Sequence, residues 1–438
     1  MARGKKKETL TLEERLQAAL VPESEQPYKV PGNWCWTFLK PISKIRTGKK
    51  DANYGSVIDG EYPFFTCAAE PIRCHGYSFD CNAILLAGNG DINNISRYNG
   101  KFEAYQRTYV VEIIEPINID YVFYWFKYRW FDFNKDKMFG TAIPYIRLGN
   151  LQEFPIPVPP LAQQQRIVNH IESLFAKLDE AKQKAQDALD SFETRKAAIL
   201  HKAFTGELTA QWRKEYGVGM ESWEARTSTQ LFEYVTSGSR GWAKYYADNG
   251  DIFVRMGNLN HGTIELDLSD IQYVNLPGQT EGQRTKLQKN DILISITADI
   301  GMVGIVREME QNAYINQHIA LARPTAKDNA EFLAWYLISD VGLQQMRNKQ
   351  RGATKIGLGL DDIRSLELLI PTREEQDEVV YILDNLLANE QQAKEVAEGV
   401  LEQIDLIKKA ILARAFRGEL GTNDPSEESV MELLKVIM

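Results

Sequence analysis

The stretch AILHKAFTGEL at 198–208 returns as AILARAFRGEL at 410–420, with eight of eleven letters identical at an offset of 212. That register holds without a gap from Gly140 to Leu208. It aligns Gly140 with Gly352, Leu148 with Leu360, Leu151 with Ile363, Pro159 with Pro371 and Gln164 with Gln376. A single duplication of this length is too sparse for a solenoid. It restricts the chain to two related halves that use the same helix ending twice, with a domain's worth of sequence between.

Each copy begins with a proline ahead of a polar, helix-forming run, VPPLAQQQRI and LIPTREEQDEV. Apolar residues follow at Ile167, Ile171, Leu174, Leu178, Ala181, Ala185, Ala188, Phe192 and Ile199. In the second copy they fall at Val379, Leu383, Leu386, Ala393, Ala397, Val400, Ile404, Ile407 and Ile411. Steps of four and three are the spacing of a coiled coil, interrupted only at Arg195 and Glu390. Gly206 and Gly418 stand where a left-handed cap ends a helix. Gln163–Phe204 as one helix would be roughly 60 Å long. Two such stripes most simply bury each other as an antiparallel pair. Ile167, Ile171, Leu174, Leu178, Ala181 and Ala185 would meet Val379, Leu383, Leu386, Ala393, Ala397 and Val400, with the alanines permitting close approach.

The regions between do not read as helical. CNAILLAGNGDINNISRYNGKFEAYQRTYVVEII has short β-prone runs broken by Gly-Asn, Gly-Asp and Asn-Gly turns, and NDILISITADIGMVGIVREMEQNAYINQHIALARP behaves alike. Each region adds one amphipathic piece, at Tyr121–Phe131 and Ala330–Met346. The expected fold is therefore α+β: two β-rich α/β domains separated by two long antiparallel helices, with a pseudo-twofold internal repeat. The expected boundaries are 1–27 as an N-terminal extension, 28–158 and 228–370 as domains, and 159–208 and 371–420 as long helices. A linker covers 209–227 and an acidic tail covers 421–438. Thr11-x-x-Glu14 is a capping-box pattern for a short helix, with a mobile arm the alternative.

The net charge of −9 argues against a chain that is basic everywhere, and the acid concentrates in the tail. A nucleic-acid contact would then use local basic loops. No long uncharged apolar run or secretory signal is visible, which points to the cytoplasm. Cys35, Cys67, Cys74 and Cys81 lack zinc spacing and read as free thiols. No metal site, no Walker loop and no strand followed by Asn/Asp-Pro-Pro-aromatic appears. Gly88-Asn89-Gly90 reads as a hairpin turn, Glu180 with Lys182 as a solvated pair, and Cys74-His75 as structural.

PVPPLAQQQRIVNHIESLFAKLD with KAAILHKAFTGELTAQWR, echoed by IPTREEQDEVV with KKAILARAFRGEL, resembles the specificity subunits of type I restriction–modification systems. The resemblance runs from about Pro27 to Gly421. Glu390 interrupts the second stripe, and PPL becomes PTR at its start. The resemblance implies a chain without catalytic residues, whose two β-rich domains are target recognition domains, each reading half of a split, asymmetric double-stranded DNA site. The helices would set the spacer and dock two methyltransferase (M) subunits, and motor-nuclease (R) subunits would join for restriction. It implies no cofactor on this chain, with S-adenosylmethionine and ATP/Mg on the partners. A stand-alone bivalent DNA-binding regulator and an enzyme with an unrecognised site are the competing readings.

For DNA contact, basic loop residues come first, with Asn and Gln as bidentate base readers. The candidates are Lys49, Lys50, Asn89, Asn93, Asn94, Arg97, Arg107 and Arg147 in the first domain. In the second they are Arg240, Arg255, Asn258, Asn260, Arg284, Asn316, Gln317, Lys349, Arg351 and Lys355. Asn348–Lys355 is the densest basic cluster, and Asn134–Arg147 is its counterpart. Off the main stripes lie Phe175, Leu189, Leu200 and Phe204, and Leu387, Leu401, Leu412 and Phe416. These apolar residues would either meet the methyltransferase subunits or pack on the chain's own domains.

Overall fold

Asn118 and Asn329 each cap a helix with their own side-chain oxygen. Asn118 Oδ1 accepts from the backbone N–H of Asp120 and Tyr121, and Asn329 Oδ1 from that of Glu331 and Phe332. The backbone N–H of these two caps is itself held by the duplicated glutamines: Asn118 N donates to Gln164 Oε1 at 2.8 Å and Asn329 N to Gln376 Oε1 at 2.7 Å. Each glutamine amide also donates to the carbonyl of its own leading proline, Pro159 or Pro371. The duplicated letters thus mark a repeated joint between helix and domain.

The computed structural model describes residues 11–55, 59–277, 282–351 and 357–438. It divides into two compact units, Met1–Ala185 with Gly399–Met438, and Gln186–Glu398.

Unit 1 opens with helix α1 (Leu12–Ala19), closed at Thr11 by the capping box. Its strands are β1 (Cys35–Phe38), β2 (Ser43–Thr47), β3 (Tyr62–Phe65), β4 (Ile72–Cys74), β5 (Phe79–Ala87), β6 (Ile95–Ala104), β7 (Thr108–Ile113) and β8 (Pro155–Val158). Six form one sheet in the order β2-β7-β5-β6-β3-β4, while β1 pairs β8. The alternation of a strand sends Ile84, Leu86 and Val111 to one face and Ala83, Leu85 and Val110 to the other. The first face is covered by helix α2 (Ile119–Asn134) through Tyr121, Val122, Trp125 and Phe126. Helix α3 (Leu148–Gln152) precedes β8, and α4 spans Leu161–Asp190.

Helices α5 (Phe192–Phe204) and α6 (Ala210–Tyr216) lead into unit 2 strand β9 (Glu224–Thr227) and the short helix α7 (Ser228–Leu231). Strands β10 (Phe232–Ser237), β11 (Tyr246–Ala247), β12 (Asp251–Val254), β13 (Gln272–Val274), β14 (Ile292–Ser295), β15 (Val303–Ile305), β16 (Ala313–Ile315) and β17 (Ile319–Pro324) follow. Then come α8 (Ala330–Ile338), α9 (Asp340–Asn348), α10 (Leu360–Arg364), β18 (Glu367–Ile370), α11 (Arg373–Phe416) and, back in unit 1, α12 (Val430–Ile437). Two four-stranded sheets, β10-β17-β14-β15 and β11-β13-β12-β16, replace the six-stranded one, and β18 pairs β9. The long β6 of unit 1 therefore does the work that β15 and β16 share in unit 2. All four residues of β14 are buried rather than alternate ones, with Ile292 and Ile294 in one core and Leu293 in another.

The repeated helix ending has a matching purpose in each unit. Phe416 is buried against Tyr121 and Trp125, with ring centroids at 5.2 and 5.0 Å. Phe204 is buried against Phe332 and Tyr336 at 5.4 and 5.0 Å. Leu200 joins the core of unit 2 and Leu412 that of unit 1, while Phe175 and Leu387 pack half-buried on those cores. These six off-stripe residues pack on the chain's own domains, and Leu189 and Leu401 are half-buried. Gly206 and Gly418 take φ of 78° and 74°, as the left-handed cap requires.

Two expectations, the unbroken first helix and the fully buried stripes, are corrected. The first long helix is interrupted at Ser191, whose hydroxyl donates back to the Asp187 and Ala188 carbonyls at 2.9 and 3.1 Å. The linker 209–227 carries α6 and β9. In the tail, α12 buries Val430 and Leu434, and Glu427 takes Arg166 with both carboxylate oxygens at 2.8 Å. Along the helix stripes, Ile167, Ile171, Ala185, Val379, Leu383 and Ala397 are buried, and Leu174, Leu178, Ala181, Leu386 and Val400 are half-buried, but Ala188, Ala393 and Ile407 are exposed. Arg195 and Glu390, the two polar interruptions of the stripes, pair with each other at 2.8 Å. Lys394, the neighbour of Ala393, is half-buried with its ammonium 4.9 Å from the Phe192 ring.

Replacing Arg195 by Glu should cost about 1 kcal/mol or more of stability, and adding Glu390→Arg should restore most of it. Denaturant midpoints of the two variants check this; equal losses in the single and double variants would refute the pairing.

Candidate nucleic-acid interface

At one end of the unit 1 sheet several loops are tied together by backbone bonds. Gln106 N donates to the Lys50 carbonyl, Gly88 N to that of Arg107 and Ile146 N to that of Gly88, at 2.8–2.9 Å. Gly90 N donates to the Pro144 carbonyl, and Asn94 Nδ2 to that of Cys67 at 2.8 Å. An open polar cleft of about 300 Å³ lies there, lined by Thr47, Gly88, Gln106, Arg107, Tyr109 and Ile146. Burial raises the Tyr109 phenol above its ordinary value, and the Arg107 charge opposes that.

This loop cluster gathers Lys49, Lys50, Asn89, Asn93, Asn94, Arg107 and Arg147. Lys49 and Arg107 are exposed and have no ion pair among the described residues. Lys50 lies with its ammonium 4.4 Å from the Tyr54 ring, and the Arg147 guanidinium lies 3.9 Å from the Phe139 ring. Arg97 is not part of the cluster. It sits within β6, pairing with Asp120 at 2.9 Å and with Asn82, so its charge holds α2 to the sheet. The Asn94 amide is likewise committed to the fold.

Unit 2 builds an equivalent cluster. Asn316 N donates to the Val254 carbonyl, Ile296 N to that of His318 and Leu358 N to that of Ile296. Ser239 bridges Asn316 as Lys50 bridges Tyr105, and Thr297 bridges Gly357 as Asn89 bridges Tyr145. Gly48 and Gly238 stand at matching places, where a Cβ would overlap the Ala104 and Tyr105 carbonyls or the Ile315 and Asn316 carbonyls. Arg240 and Asn260 are exposed here, and Arg284 reaches the Ser237 carbonyl at 3.3 Å. Lys349 ends α9, half-buried. Gln317 contacts His318, and Asn316 Oδ1 accepts from the His318 N–H.

Three candidates here are committed elsewhere. Asn258 is buried, accepting from Arg255 N at 2.8 Å and donating to the Asp267 and Asp270 carbonyls at 2.8 and 3.0 Å. Arg255 pairs with Asp270 at 3.0 Å and Arg351 with Asp362 at 2.6 Å. Lys355 lies outside the described residues. Asn258→Ala should cost about 2 kcal/mol by orphaning three backbone groups, with any recognised DNA sequence unchanged. Thermal unfolding beside a binding assay checks it, and an altered sequence preference without destabilisation would contradict the structural role.

The other sequence candidates stay structural. Glu180 pairs with Lys184 at 2.6 Å on the helix surface, and Cys74 is buried. Burial pushes the Cys35 thiol up to about 12, so it is no nucleophile at neutral pH. No helix among the described residues is long and apolar enough to cross a membrane.

A model of the type I restriction–modification DNA specificity domain matches this chain twice, over residues 31–189 and 220–398. The chain belongs to that family of DNA specificity proteins, with one copy of the domain in each half. It is 28% identical over 407 residues to the EcoDI type I restriction enzyme specificity subunit of Escherichia coli, covering 90% of each chain. It is 23% identical to the MjaVIII specificity subunit of Methanocaldococcus jannaschii, over 90% of this chain and 94% of that one. Its fold is similar to that of the HsdS subunit from Thermoanaerobacter tengcongensis, with a TM-score of 0.61 and 19% identity over 91% of this chain and all of the other. A chain described under "complex assembly and conformational transition of the type I R-M system" gives a TM-score of 0.65 at 19% identity, over 90% of this chain and all of that one.

Proposed function

We propose that this chain is the DNA specificity subunit of a type I restriction–modification complex and carries no catalytic residue itself. Each unit reads one half of an asymmetric, two-part site on duplex DNA. The two long helices form an antiparallel coiled coil that separates the two target recognition domains and sets the unread spacer. Support for that pairing comes from its ion pairs: Asp179 meets Lys408 and Arg195 meets Glu390, so one helix ascends as the other descends. Two methyltransferase subunits dock on the helices, bringing S-adenosylmethionine, and motor-nuclease subunits join with ATP and Mg²⁺. The complex works in the cytoplasm.

The observation that carries this reading is the pair of equivalent loop clusters, one per family domain, built on the same backbone scheme with different side chains. Equal scaffolds with unequal faces suit unequal half-sites. Arg107, Lys49 and Arg240 supply phosphate contacts that fix the register, and amides supply base contacts. The test is methylome sequencing of a host that carries this chain with a partner methyltransferase. A split adenine-methylated motif is expected. Methylation or cleavage by the purified chain alone, or tight specific binding without any partner, would refute the reading in favour of an enzyme or a free-standing regulator.

A further inference from the structure

The hairpin tip that enters each loop cluster is the same object twice. Between β6 and β7 it is Tyr105-Gln106-Arg107, and between β16 and β17 it is Asn316-Gln317-His318. The backbone equates them residue by residue. Tyr105 N donates to the Phe65 carbonyl as Asn316 N does to Val254, at 2.9 and 3.2 Å. The Arg107 carbonyl accepts from Gly88 N as that of His318 does from Ile296 N, at 2.8 and 3.0 Å. Gly48 and Gly238 close on the two tips from the same side. Gln106 and Gln317 therefore occupy one position in the two units.

Their amides are held alike by different partners. Gln106 Nε2 donates to Asp51 Oδ1 at 3.0 Å, and Gln317 Nε2 lies 2.8 Å from His318 Nε2. An amide nitrogen has no lone pair to offer, so His318 Nε2 is the acceptor there. Its other nitrogen, Nδ1, then carries the proton and donates to Thr297 Oγ1 at 2.7 Å. Thr297 is fixed in turn by its bridge to Gly357, and the next residue, Ala298, is held at φ 61° where unit 1 has Gly90 at φ 73°. A non-glycine residue in that region is strained, and strain of this kind collects where a surface must be presented in one shape. With one N–H anchored, each glutamine keeps its carbonyl and its second N–H side by side, and no described hydrogen bond uses either carbonyl. That edge matches adenine in the major groove: Oε1 accepts from N6–H and Nε2–H donates to N7.

We propose that Gln106 and Gln317 are paired adenine readers, one for each half-site, positioned by Asp51 and by the His318–Thr297 link. The assignment rests on the specificity-subunit reading above. The test uses the complete complex, with methylomes of the unmodified protein, Gln106→Ala, Gln317→Ala and the double variant. Each single variant should release one adenine position, in opposite halves of the motif, and the double variant both. Discrimination at the released position should fall about tenfold to a hundredfold. His318→Leu should reproduce the Gln317 effect more weakly, and His318→Gln, which keeps an acceptor, should rescue it.

Where a variant abolishes methylation, competition binding against duplexes altered at one position each gives the same readout. Loss at one adenine with the other positions intact supports the assignment, and uniform loss overturns it. A split motif that no variant changes, or two variants relaxing the same half, would overturn the assignment and leave the specificity reading standing. An unmodified complex with no split motif would sink both.

Discussion

Phe416→Ala should destabilise unit 1 by about 3–5 kcal/mol. The ring is fully buried, stands edge-on to Tyr121 and Trp125, and stacks on Tyr128 with an 8° interplanar angle at 6.0 Å. Truncation leaves a cavity among large, rigid aromatic rings, which collapse poorly into the space. The Phe416 carbonyl also accepts from the Tyr28 hydroxyl at 3.1 Å, so displacement of the helix end disturbs the entry segment of the unit as well. Denaturant unfolding followed by tryptophan fluorescence measures the loss, because Trp125 reports on the same pocket. Phe204→Ala should act in the same way on unit 2, and the two losses should add, since the rings belong to separate cores. A loss below about 1 kcal/mol for either would remove the explanation offered for the repeated helix ending.

Arg213→Ala should destabilise unit 2 by about 3–5 kcal/mol. Arg213 Nη1 donates to Glu375 Oε1 at 2.5 Å, Thr209 Oγ1 donates to the same oxygen at 2.6 Å, and Arg213 Nη2 donates to the Gly206 carbonyl at 2.6 Å. Glu375 has no exposed surface, and its second oxygen has no partner. Removing the guanidinium leaves a buried carboxylate with a single hydroxyl for company. Replacing both partners, as in Arg213→Met with Glu375→Leu, should recover much of the loss, because no charge is then stranded. Unfolding midpoints of the single and double variants decide the matter: a double variant as poor as the single would mean that packing, not charge, holds α6 to the start of α11.

The helices, their caps and the duplication were legible because they depend on local periodicity and on glycine and proline chemistry. Gln164 and Gln376 align without a gap, so their shared joint could be located, although its partners Asn118 and Asn329 could not. An apolar a/d pattern marks Arg195 and Glu390 as interruptions, whereas the fold pairs them with each other. The same pattern marks Ala393 for burial, where the half-buried residue is Lys394.

The candidate interface was legible only in outline. Arg97, Asn258 and Arg351 carry the right chemistry for DNA, but their partners Asp120, Asp267 and Asp362 are brought beside them by the fold. Gln106 is not among the candidates that the sequence offers. The tips correspond at an offset of 211, β3 and β12 at 189, and the turns at Asn89 and Thr297 at 208. Those shifts hide the equivalence from any single alignment register.

Unit 2 is one uninterrupted stretch, whereas unit 1 is completed only by residues after 398. During synthesis the 213 residues of unit 2 emerge in between, roughly 10–40 s at ordinary elongation rates. Throughout that interval the aromatic pocket of Tyr121 and Trp125 waits for Phe416, and the site for Val430 and Leu434 stands open. The domain that begins first on the ribosome is therefore the last to close, and until then its unfilled aromatic pocket is open to chaperones or to neighbouring nascent chains.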